Sequence, residues 1–174
     1  MVKHKYLSIR KLQIITFLFI SMLLIGCNQE LRKTPTDKFS GLWKLVVIEQ
    51  QDSISGEWNE YRNGLQGYIL YDDKDNMAVH LTSKGYQNTD IRFHDFIDTV
   101  SIEELKHRTQ SYVYFAKYTV LEDENIVEHA RISHSNPNLW NIKVQRLYEF
   151  KGDTLMLITL ERKNSQLRVK WIKY

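Results

Sequence analysis

Two basic side chains stand out because their neighbours are apolar. Arg146 alternates with Ile142, Val144, Tyr148 and Phe150 on one face of a strand-like run. A guanidinium does not shed its proton, so one that faces inward needs a partner. Glu128 is a candidate from the face of Ile126, Ala130 and Ile132; Tyr112, Tyr114 and Tyr118 share a face of the preceding run and offer hydroxyls. Two chemistries follow. Either Arg146, with Tyr114, Tyr118, Tyr148 and His129, holds the anionic or carbonyl-bearing end of an apolar ligand, or Arg146 sits in an internal Arg–Glu or Arg–Tyr network that sets strand register and binds nothing. His129 alternates with Val127, Arg131 and Ser133, which turns it outward by period alone. A bulge near "SHSNPN" (133–138) would reverse that. Its ordinary pKa suits proton transfer near neutrality, so an acid/base isomerase or cyclase using His129 and Arg146 is the enzymatic alternative.

Other chemistries find little support. There is no G-x-S-x-G and no glycine-rich phosphate loop. His94, Asp95 and Asp98 form the one local metal-like cluster, and their spacing matches no zinc or calcium pattern. No metal and no cofactor is expected.

The beginning of the chain reads as an address. Lys3, Lys5, Arg10 and Lys11 precede "IITFLFISMLLIG", an apolar run too short to span a bilayer comfortably and suited to a signal-peptide core. "LLIGC" ends at Cys27, the single cysteine of the chain, and resembles the bacterial lipobox. That resemblance implies diacylglycerol on the Cys27 thiol, cleavage before it and acylation of the new amino terminus, with palmitate-type chains. Two or three chains anchor stably where one would be marginal. The expected location is the bacterial cell envelope, on the outer membrane if the source is Gram-negative. Residues 27–39 then read as the lipidated cysteine and a flexible tether. Taking the leader's four cations from 24 leaves 20 against 21 acids, a net of −1, so no basic stripe argues for nucleic acid. Protein partners are not legible. Removing 26 residues from 174 leaves 148, enough for one domain with a core.

Residues 40–174 must position the candidate side chains. Strand patterns cover 42–50, 67–72, 76–82, 112–121, 125–134, 140–150, 154–162 and 167–174, rich in Val, Ile, Tyr, Trp and Thr and parted by turns such as Asp73-Lys74-Asp75 and Lys151-Gly152-Asp153. About eight antiparallel strands joined mostly by hairpin-length turns predict an all-β up-and-down barrel; a two-sheet sandwich is the alternative. Between the third and fourth of these strands, Ser101 and Glu104 have capping-box spacing and "IEELKHRTQ" predicts a short helix, either a lid or plain decoration.

The strand order also carries motifs. Gly41-Leu42-Trp43 looks like the G-x-W opening of lipocalins. It is followed by "GYILYDDKDNMAVHL", "YVYFAKYTV", "VEHARISHSNPNLW", "VQRLYEFKGDTLML" and "RVKWIKY". Together these resemble the small lipocalin-like domain family of bacteria and fungi over residues 40–174. The resemblance implies a barrel with an internal binding cavity, and a tryptophan plugging one end against a basic residue of a late strand. Trp43 and Trp171 are the expected plug, with Lys173 or Arg168 as cation. It also places a histidine at position 129. Ala116 and Asn141 stand where that family tends to have glycine.

Overall fold

In a computed structural model, residues 35–93, 100–162 and 165–174 are described. Cys27, the leader, most of the tether and the His94–Asp95–Asp98 cluster lie outside the described residues. Thr34–Tyr174 forms one compact unit that carries every core residue described here, as an independent folding unit should.

The turns and alternation produce a meander. After a short helix α1 (Pro35–Phe39) come β1 (Gly41–Gln51), β2 (Trp58–Glu60), β3 (Leu65–Tyr71) and β4 (Asn76–Ser83). Helix α2 (Ile102–Arg108) follows, then β5 (Ser111–Leu121), β6 (Ile126–His134), β7 (Lys143–Lys151), β8 (Thr154–Thr159) and β9 (Leu167–Lys173). Every neighbouring pair is antiparallel, and β1 also pairs with β9, from Trp43 opposite Lys173 to Gln50 opposite Leu167. Eight strands thus close into a barrel, as expected, while β2 is an added three-residue strand on the end of β1. Side chains alternate on cue: Met77, Val79 and Leu81 face in, while His80 faces out and meets the Ser111 hydroxyl at 3.2 Å.

Gly67 is required by close approach. Its φ is +147°, and a Cβ there would lie 2.0 Å from the His80 carbonyl oxygen on β4. Asn141 adopts φ +57°, a left-handed conformation that asparagine tolerates better than most residues. The Ser101 hydroxyl accepts a bond from the Glu104 amide at 3.1 Å, so the expected cap starts α2.

One end of the barrel is solid. Phe39, from α1, inserts among Tyr71, Tyr148 and Phe150, with ring centroids 5.0, 5.1 and 4.9 Å away. Tyr118 and Trp43 complete this floor, and the Trp43 indole N–H donates to the Phe39 carbonyl at 2.7 Å. The Lys173 ammonium stands 4.3 Å from the Trp43 ring centroid and also bonds the Ser40 carbonyl. Lys173, rather than Arg168, is therefore the cation at this end. Arg168 instead pairs with Glu49 at 2.8 Å and covers the Trp58 ring.

Candidate functional site

The other half of the barrel is hollow. A cavity of about 470 Å³ has walls of Ile48, Ile69, Val79, Leu81, Val144, Leu157 and Val169. These come from the ends of the strands away from the Phe39 floor. Polar groups are few and clustered: Tyr114 on β5, His129 and Arg131 on β6, Arg146 on β7, and Glu161 just past β8. Tyr61, Arg62, Thr109, Gln110 and Arg162 border it at the rim, so the residues after α2 lie beside the cavity. Its size and mostly apolar lining with a few placed polar groups match a small-molecule site.

Strand β6 corrects two expectations. His129 is not outward: it is 1% exposed and faces the interior with Val127 and Arg131. Ile132, expected on the inner face, is 54% exposed. The reason is pairing. His129 stands opposite Tyr118 and Arg131 opposite Ala116, both inward residues of β5. A bulge does occur, at Ile132, where the register shifts between Phe115 and Ala116. It turns His134 inward and does not reverse His129. The second correction concerns Arg146. Glu128 is not its partner, because Glu128 faces the outer side and pairs with Lys143 at 2.9 Å. Arg146 faces the cavity and forms its ion pair with Glu161, while also donating to the Gln145 carbonyl at 2.8 Å.

His129 is held between two tyrosines. Its Nε2 lies 3.0 Å from the Tyr71 hydroxyl and its Nδ1 lies 2.9 Å from the Tyr114 hydroxyl. Burial, with Arg146 and Arg131 nearby, pulls its pKa down to about 3, so the ring is neutral and has one donor and one acceptor. Tyr71 is fully buried with His129 as its one hydrogen-bonding side chain among the described residues. The arrangement that wastes no buried donor has Tyr71 donating to Nε2 and the Nδ1–H donating to the Tyr114 oxygen. The Tyr114 hydroxyl proton is then left for the cavity. Burial pushes both the Tyr114 and Tyr71 hydroxyls well above the ordinary phenol range, so both remain protonated. A histidine whose two nitrogens are engaged, and whose proton affinity is this low, makes a poor general base.

Of the remaining candidates, Tyr118 and Tyr148 fall outside the cavity. Tyr118 donates to the Asp72 carbonyl at 2.9 Å beside the floor, with a pKa raised to about 12, chiefly by desolvation. Tyr148 packs on Phe39. Trp171 sits one level above the Trp43 plug, opposite Leu45 and Leu155, and lines the cavity. Its buried indole N–H has no hydrogen-bond partner among the described residues. Sequence reasoning missed Arg131 and Glu161. Arg131 shares a period with His129 and was turned outward with it; Glu161 lies beyond the last residue of β8, where alternation gives no facing.

A match to a known domain family agrees with this architecture. No curated protein sequence matches the chain. Among solved structures, a lipocalin-like protein from Bacteroides uniformis is similar at 11% identity and a TM-score of 0.43, over 79% of this chain and 99% of that one. A redesigned β-barrel is similar at 13% identity and a TM-score of 0.40, over 80% of this chain and 94% of the other. The sequence profile described as the lipocalin-like domain matches residues 40–172, the whole barrel from just before Gly41 to Ile172, and the chain belongs to that family.

Proposed function

We propose that this protein is a carrier for a small amphipathic molecule, held at the bacterial envelope through lipid on Cys27. The observation that carries the binding half is the cavity itself: about 470 Å³ of largely apolar space inside a barrel whose other end is packed solid. A barrel meant only as a scaffold gains nothing from unfilled volume, since unfilled space costs dispersion contacts. Arg146, Tyr114 and the buried Trp171 N–H supply the orienting groups. The engaged nitrogens of His129 favour a carrier over an acid/base catalyst. The anchor rests on the lipobox-like stretch ending at Cys27.

Native mass spectrometry of the protein from Thr34 onward, purified without denaturation, tests the binding half. The expected result is a co-purifying small molecule on the wild type that is lost in Leu157→Trp, which fills the cavity, and reduced in Arg146→Ala. A bare wild-type mass, with no thermal shift from any apolar probe, would leave a structural barrel instead. The anchor is tested separately by feeding cells a labelled fatty acid. Label should enter the full chain and not Cys27→Ser, and an unlabelled wild type removes the anchor from the proposal.

A further inference from the structure

We infer that the cavity is built for a carboxylate, and that Arg131 is the residue that holds it. This rests on the carrier reading and names the chemistry of its cargo. Arg131 is 6% exposed, on the inner face of β6. Its Nε is buried without a hydrogen-bond partner among the described residues. The groups the guanidinium touches are neutral: one terminal nitrogen donates to the Tyr112 hydroxyl at 3.3 Å, and its carbon lies 5.0 Å from the Tyr114 ring centroid. No ion pair to an acid is formed by Arg131 among the described residues, whereas Arg146 has Glu161.

A buried cation without a counterion is expensive, and guanidinium cannot escape the cost by losing its proton. The cavity as a whole repeats the imbalance. Arg62, Arg131, Arg146 and Arg162 line it against a single acid, Glu161, and His129 adds no charge because it is neutral. The neighbouring polar groups are donors too. Tyr114 has its hydroxyl proton to give once His129 donates to its oxygen, and the Trp171 N–H is unmet. An acceptor with one negative charge satisfies Arg131 and the hydroxyl of the Tyr114 ring beside it, while the apolar walls suit a hydrocarbon body. Arg62 and Arg162 are exposed at the rim, where water solvates them, and Arg146 has Glu161, so one buried guanidinium is left to call for one charge; a carboxylate fits it better than a doubly charged phosphate monoester.

The test uses decanoate, decanol and decyl phosphate as probes, titrated by calorimetry into the protein from Thr34 onward. Wild type should bind decanoate at least tenfold more tightly than decanol. Arg131→Met should erase that preference by weakening decanoate binding far more than decanol binding, and Arg131→Lys should restore part of it. Circular dichroism and the melting curve establish that each variant is folded; an unfolded Arg131→Met leaves the wild-type preference and the Lys variant to decide. Equal binding of decanoate and decanol by wild type overturns the inference while the carrier reading survives. Tighter binding of decyl phosphate than of decanoate also overturns it. If no probe binds and no molecule co-purifies, the carrier reading falls as well.

Discussion

His129 shows how one buried ring changes the meaning of its neighbours. Neutral, it ties Tyr71 on β3 to Tyr114 on β5 across the interior. Replacing it with phenylalanine strands two buried hydroxyls and should cost about 2–4 kcal/mol in urea denaturation. Its acid behaviour follows from the sign of the shift. The folded-state pKa, about 3, lies below the unfolded value, so the unfolded chain binds more protons between the two. The contribution is complete above about pH 6.5 and is lost as pH falls toward about pH 3, amounting to about 2 kcal/mol by pH 5. His129→Gln should therefore narrow its stability gap to wild type by about that amount between pH 7.5 and pH 5; a constant gap would mean that the ring is not neutral in the folded protein. Glu161 provides a complementary test. It neutralises Arg146, and that arginine in turn holds the Glu161 carboxyl below its ordinary pKa against the opposing effect of burial. Glu161→Gln should free Arg146 and tighten decanoate binding by about threefold to tenfold, read by the same titration.

At the scale of the element, local patterns were readable and facing was not. All eight barrel strands were visible because alternation and turn chemistry lie within a few residues of each other. The facing of β6 was not, because it depends on which residues of β5 stand opposite. Ile126, Ala130 and Ile132 mimic a core face, yet the inner face carries Val127, His129 and Arg131. A functional face that is polar inside defeats hydrophobic alternation by its nature. The same blindness hid α1, read as tether, although Phe39 is fully buried. Phe39→Ala should cost about 3–5 kcal/mol by denaturation, the range for emptying a packed aromatic site. Gly67→Ala should be at least as damaging, because the added methyl meets the His80 carbonyl in the strand pair and both backbones must part. A Gly67→Ala protein that melts within a degree or two of wild type would show that the β3–β4 contact is looser than described.

For the whole molecule, closure makes the barrel one cooperative object. β9 is the strand that joins β8 back to β1, so it has two neighbours to lose. Removing Leu167–Tyr174 would bare the edges of β1 and β8 and take away Trp171 and the Lys173 cation over Trp43. The truncated chain should show no sharp urea transition and should aggregate; a soluble, cooperatively unfolding product would mean that the sheet is stable open.

The floor also decides how a molecule inside the barrel would have to travel. With Phe39, Trp43, Tyr148 and Phe150 packed against one another at one end, nothing passes lengthwise through the barrel. The protein is a cup rather than a pipe. In the proposed carrier role, loading and unloading would share the rim of Tyr61, Arg62, Gln110 and Arg162, and a full barrel would turn away a second molecule until the first had left. Delivery by such a vessel would be paced by its emptying, and a partner receiving the contents would have to meet it at that rim.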